Sequence, residues 1–255
     1  MVELWIGLAG GILIGSTGAG MGLLVTPLLI CCGYAPAVAV GTGLGVSAVT
    51  KLAGAIIHHR LGHWPRRHLG ILMAGGASGV AIPWCLVHLW ASPATVDLNL
   101  WIKRLLAGLL VIGGLALLVK GSPSIDKSPD GLRLANEPPR RFWLFGIGAG
   151  VAALDTFTAA GTGSLLVPAL ASTTPWTVPE LAAVSNIFGW MVGGLSVSVY
   201  AHLGGFDPRL FTIVLIGLLP GVAAGALLSR SISRVWFGRG LGAAALFLGV
   251  RFLLT

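Results

Sequence analysis

The sequence predicts an all-α integral membrane protein of about eight hydrophobic segments in two homologous repeats of four, inverted relative to each other, with broken, re-entrant first segments. Three observations carry that expectation. The 255 residues are 55% hydrophobic and 9% charged, with a mean hydropathy of +0.91, whereas soluble domains hold about 25% charged residues. A glycine-rich passage ending in proline occurs twice, at Gly7 to Pro27 and at Gly148 to Pro168. The basic residues gather in short loops between apolar runs rather than over one soluble face.

The repeat extends beyond those passages. Thr17-Gly18-Ala19-Gly20-Met21-Gly22 lies opposite Thr158-Ala159-Ala160-Gly161-Thr162-Gly163 when the two prolines are aligned. With a single-position gap, Arg60-Leu61-Gly62-His63-Trp64 then faces His202-Leu203-Gly204-Gly205-Phe206, and Gly75 and Gly79 face Gly217 and Gly221 in the same register. Biased composition does not hold one register through three separate blocks, so the chain reads as a duplication.

Segments long enough to cross a bilayer, about 20 residues each, fall at 4–32, 36–58, 69–90, 101–119, 142–172, 178–201, 210–229 and 236–254. The first of them begins so close to Met1-Val2-Glu3, without a basic n-region or cleavage site, that it reads as a membrane segment rather than a signal peptide. Gly7 to Gly22 holds seven glycines, and each costs a helix interior about 1 kcal/mol relative to alanine. Breaks are therefore expected near Thr17 to Gly22 and near Thr158 to Gly163, loosened further by Pro27 and Pro168, whose missing N–H frees a carbonyl one turn back. A continuous helix that packs closely through its glycines is the alternative. The charged, proline-bearing stretch 121–141 is a linker, which divides the chain into a first repeat, 1–120, and a second, 142–255.

Loop charge favours inverted halves. If each first segment leaves on the side it entered, one side carries 11 lysines and arginines, including Arg60, Arg66, Arg67 and the linker, and the other carries 4; simple eight-fold crossing gives 10 and 5. The linker is then cytoplasmic and both termini are periplasmic. The net charge of +8 follows from this topology and not from a nucleic-acid surface, for which no basic domain exists. No Walker motif, dinucleotide fingerprint or metal-ligand spacing is present, so no cofactor or metal is expected. Cys31, Cys32 and Cys85 read as small apolar fillers, and His58, His59, His63 and His68 as part of a solvated basic loop.

Chemistry is expected at the breaks. Helices restarting at Gly20 to Gly22 and at Gly161 to Gly163 would offer free N–H groups to an anion, with Thr17, Thr158, Thr162 and Ser164 adding hydroxyls. Close packing through small residues is the competing use. Thr42 and Asn186 stand in the next segments, and a buried amide needs partners. Lys51 and Asp155 are ionisable inside apolar segments, where placement costs about 2.5–3.5 kcal/mol. Lys51 either functions there or snorkels to the basic loop. Asp155, which replaces Ile14 of the first half, accepts a coupling proton, pairs with Lys51 or caps the break in its helix.

The paired glycine-rich segments ending in Pro27 and Pro168, the run Ala39-Val40-Gly41-Thr42 and the turn Arg60-Leu61-Gly62-His63-Trp64 together resemble the sulfite exporter TauE/SafE family, also called the 4-toluene sulfonate uptake permease family. The resemblance spans nearly the whole chain. It implies a secondary transporter in the bacterial inner membrane, exporting a small sulfur-containing anion such as sulfite or an organosulfonate, in a lipid bilayer and with room for a homo-oligomer. It directs attention to Gly20, Gly22, Gly161 and Gly163. Two other readings remain: a passive anion channel, and a rhomboid-like serine protease using Ser78 and His202, whose flanking residues look like that family's motifs.

Overall fold

The computed structural model describes residues 2–17, 24–62, 68–90, 98–120, 141–228 and 234–254. The described residues form α-helices throughout: α1 (Val2–Thr17), α2 (Val25–Cys31), α3 (Pro36–Arg60), α4 (Leu69–Trp90), α5 (Leu98–Lys120), α6 (Arg141–Thr158), α7 (Gly161–Ser164), α8 (Leu166–Thr173), α9 (Val178–His202), α10 (Pro208–Leu228) and α11 (Arg234–Leu254). Each uninterrupted segment expected from the sequence is one helix. The second glycine-rich segment is divided into α6, α7 and α8, whereas in the first, α2 starts after Leu24 and residues 18–23, where the break was expected, lie outside the described residues. Among the described residues three helical stretches, Pro36–Arg60, Pro179–His202 and Pro208–Gly225, are long and apolar enough by themselves to cross a membrane, and Val2–Ile14 and Leu69–Cys85 are shorter apolar stretches.

Local chemistry sets the helix ends. Pro36 opens α3, because its missing N–H is unneeded in a first turn. A capping box opens α9, with the Glu180 carboxylate accepting from the Thr177 N–H at 2.7 Å. Asp207 caps α10 by accepting from the N–H groups of Arg209 and Leu210 at 2.8 and 3.1 Å. After α3 and α9 the chain turns at Gly62 and Gly204, with φ of 74° and 70°, a region that glycine enters without steric cost. These two glycines are equivalent positions of the repeat.

The most extensive helix pairings all join the two halves: α1 with α10, α4 with α6, α3 with α9 and α5 with α11. Lipid tails are as apolar as leucine, so such pairings depend on close packing rather than on escape from water. Gly75 lies against Phe145 and Gly79 against Ala149, so that α4 and α6 run parallel, and a Cβ on Gly79 would stand 2.8 Å from the Ala149 Cα. Their repeat counterparts do the same: Gly217 lies against Leu4 and Gly221 against Leu8, so α1 and α10 also run parallel. By contrast α3 and α9 run antiparallel, with Gly41 beside Tyr200, Ala48 beside Gly193 and Gly54 beside Asn186.

Two of the apolar cores are built from positions that match in the internal repeat of the sequence. One gathers Leu72, Leu166, Leu170, Leu181 and Phe188; the other gathers Val214, Val25, Leu29, Ala39 and Val46, which are the equivalent residues of the opposite repeat, in that order. Volumes are traded between them. Phe188 fills the space over Gly76, whereas the corresponding pair is Val46 and Leu218, so a large and a small residue on one side are exchanged for two of intermediate size on the other.

Candidate functional site

The break between α6 and α7 is built by its own side chains. Helix α6 stops at Thr158 because Ala159 adopts a left-handed conformation, φ 57°, while its N–H still closes the last turn onto the Asp155 carbonyl at 2.7 Å. That region costs alanine about 1–2 kcal/mol. The Thr158 hydroxyl donates to the Leu154 carbonyl at 2.7 Å and accepts from the Ala160 N–H at 3.3 Å, so it is consumed by the turn. Asp155 then reaches across: its Oδ1 accepts from the N–H of Gly161 at 2.6 Å and of Thr162 at 3.1 Å. Asp155 thus caps the break in its helix.

Lys51 reaches the same place from α3. Its stem lies across α9 at Gly189, where a Cβ would stand 2.6 Å from Nζ and 2.9 Å from Cε. Its ammonium donates to Oγ1 of Thr162. The side chain therefore runs sideways into the protein rather than towards the basic loop. Thr162 joins three partners, since it accepts from Lys51, gives its N–H to Asp155, and offers its carbonyl to the Ser185 hydroxyl at 3.1 Å. Asp155 and Thr162 are 2% and 1% exposed, so this polar cluster has little water to fall back on and must satisfy itself.

A neighbouring region holds Thr26 and Thr42. Both are fully buried and neither hydroxyl has a hydrogen-bond partner, an arrangement that costs about 1–3 kcal/mol per group. Thr26 faces α3 at Gly43, where a Cβ would be 2.8 Å from its Oγ1 and 3.7 Å from the Ala159 Cβ. Thr42 precedes Lys51 on the same helix by about 13 Å along the axis.

Of the residues expected from sequence, the fold brings Lys51, Asp155, Gly161 and Thr162 together and places Asn186 one turn away, packed on Gly54 of α3. Gly163 and Ser164 belong to α7, and Pro168 lies within α8 as Pro27 lies within α2. Gly20 and Gly22 lie outside the described residues, as do His63, Arg66, Arg67, linker residues 121–140 and the side chains of Thr17 and Ser164. Sequence reasoning missed Gly189, Gly54 and Thr26. Gly189 and Gly193 stand one helical turn apart in α9, and that spacing marked a close helix crossing.

Ser78 and His202 are committed elsewhere. Ser78 donates to the Gly75 carbonyl at 2.8 Å, whereas the His202 ring lies 6.2 Å from that of Trp84. Among the described residues no three His, Cys, Asp or Glu side chains gather into a metal-binding group.

No solved structure matches the chain. Among curated proteins it is 26% identical over 228 residues to the probable membrane transporter protein YjnA of Bacillus subtilis (strain 168), covering 89% of each chain. The family model described as sulfite exporter TauE/SafE matches residues 4–252. With that match along almost its whole length, on an all-helical framework of apolar segments, the chain belongs to the sulfite exporter TauE/SafE family of membrane transporters.

Proposed function

We propose that the protein is a secondary transporter that exports sulfite or an organosulfonate-type anion across the bacterial inner membrane by alternating access. The observation that carries this reading is Lys51. It stands deep in α3, well inside both Pro36 at the start of the helix and Arg60 at its end, and its ammonium is held by a neutral threonine hydroxyl rather than by a direct carboxylate bond. An ammonium so placed is a specific attractor for a small oxyanion, and inside a low-dielectric protein its pull exceeds that of a surface lysine.

The two halves supply the moving parts. Helices α3 and α9 hold equivalent places in the repeat yet cross antiparallel, which supports an inverted duplication with a two-fold axis in the membrane plane and a binding site near the bilayer centre. On this reading the linker is cytoplasmic and the termini periplasmic. Thr42 and Asn186 line the anion's route, and the break at Gly161 to Gly163 flanks it. A proton accompanies the anion.

Purified protein in proteoliposomes tests this directly, with sulfite, sulfoacetate, thiosulfate and sulfate as substrates and a set proton gradient. Saturable flux of one sulfur anion, responsive to that gradient and abolished by Gly163→Leu in protein that remains in the membrane, is expected. Flux that never saturates and follows only the anion's electrochemical gradient would make the protein a channel.

A further inference from the structure

We infer that Asp155 is the built-in counter-anion of Lys51, standing in for the transported anion while the carrier is empty, with Thr162 as the joint between the two charges; this rests on the anion-transport reading. Lys51 and Asp155 do not touch each other directly. They share Thr162, whose hydroxyl receives the ammonium and whose N–H is given to the carboxylate at 3.1 Å.

Asp155 is singular among the acidic groups. Of eight acidic residues in the chain, Glu3 and Glu180 sit in first helical turns and Asp207 precedes α10. Among the described acidic residues only Asp155 lies inside a helix beyond its first turn, and the Lys51 ammonium meets it at a shared residue, Thr162.

A carrier must return empty after delivering its load, and closing the protein over an uncompensated ammonium in its low-dielectric interior costs several kcal/mol. A carboxylate and a sulfur oxyanion are alike to that ammonium, since each presents oxygen acceptors and negative charge. The two therefore alternate: Asp155 compensates Lys51 in the empty state, and the anion does so in the loaded state. Gly189 is the slot that lets the lysine stem lie across α9 and swing between the two, because any Cβ there collides with it. Lys51 binds the anion on this account, and Asp155 and Thr162 act through Lys51 as positioning residues.

Asp155→Asn separates charge from structure, because its amide oxygen still accepts from the Gly161 and Thr162 N–H groups and so keeps the cap. In proteoliposomes the variant is expected to exchange sulfite for sulfite at near the wild-type rate, while net sulfite flux, which requires the empty carrier to return, falls about ten-fold or more. Sulfite binding, read as a thermal shift of the purified variant, tightens because the internal competitor is gone. Thr162→Val is expected to show the same split between exchange and net flux, and Thr162→Ser, which keeps the hydroxyl, restores it; this second pair serves if Asp155→Asn fails to fold. Equal loss of exchange and net flux in folded variants, or no loss of either, overturns the inference while leaving the transporter reading intact. Wild-type protein that exchanges no sulfur anion overturns the transporter reading and the inference together.

Discussion

The parallel seams and the central crossing both lie within the internal repeat of the sequence but keep it to different degrees. Along the seams the repeat is kept contact for contact: Gly75 on Phe145 and Gly79 on Ala149 reappear as Gly217 on Leu4 and Gly221 on Leu8. At the crossing of α3 and α9 it is not. Lys51 corresponds to Gly193, and Gly189, which carries the lysine stem, corresponds to Ser47; Asp155 and Thr162 correspond to Ile14 and Met21. A helix seam tolerates no side chain where backbones meet, so both copies stayed under one steric constraint. A polar cluster in a low-dielectric interior requires only one lysine and one carboxylate, and a second pair would add desolvation cost without need. Scaffold therefore stayed two-fold while chemistry became single.

The largest effects should come from breaking the seams. Gly79→Leu and Gly221→Leu each force a side chain into partner backbone, and overpacking of this kind costs about 1–3 kcal/mol or more. Both are expected to deplete folded protein similarly, measured as monodisperse yield from membranes. A large difference between the two would show that the seams are not energetically equivalent.

Next comes Lys51→Met, which removes the charge that the crossing has on one side only. A charge-assisted hydrogen bond is worth about 1.5–3 kcal/mol, so anion affinity should fall roughly 10- to 100-fold while the folded yield holds. Binding curves in detergent read this. Gly189→Ala should act more mildly in the same direction, raising the anion's KM because the added Cβ collides with the Lys51 stem and misplaces its ammonium, whereas Ser47→Ala at the corresponding position of α3 should leave KM unchanged.

Smaller effects sharpen the comparison at the periphery. The Tyr34 hydroxyl donates to the Glu3 carboxylate at 2.9 Å, where the second half carries Trp176 and Leu144. Tyr34→Phe should cost about 1 kcal/mol of thermal stability. The bond to Glu3, aided by burial, raises the Tyr34 pKa above its ordinary value of 10.0. That stabilisation is complete below the unfolded tyrosine pKa of about 10 and is lost as pH climbs through the higher folded value, so the wild-type advantage over Tyr34→Phe should vanish in strongly alkaline melts. Smallest is Ala159→Gly. It relieves a left-handed alanine at a place where the first half already has Gly18, and should raise stability by at most about 1 kcal/mol.

Much of this was legible in the chain. Segment limits at 69–90, 178–201 and 210–229 fall within a residue or two of α4, α9 and α10, because apolar runs in this sequence end at prolines, glycines and charges that also end helices. The division of the second glycine-rich segment was legible for the same reason, and the break expected near Thr17 to Gly22 lies largely outside the described residues. Lys51 and Asp155 stood out because charge inside an apolar run is costly. Their relation was not readable: they lie in different halves of the chain, and Asp155 had three equally sound uses. Gly75 and Gly79 were visible as repeat markers, but their role as points of backbone contact was not.

Composition and the placement of helix breakers determined by themselves that this is a helical membrane protein of apolar segments, with an interruption in the one at 142–172. These properties follow from local energetics, namely solvation of each segment and the backbone preference of each residue. Which carboxylate caps the break, which hydroxyl holds the lysine and which glycine lets it pass were decided only by the tertiary structure. Those choices depend on α3, α6 and α9 meeting at one point, and that meeting is set by interhelical packing over long sequence distances.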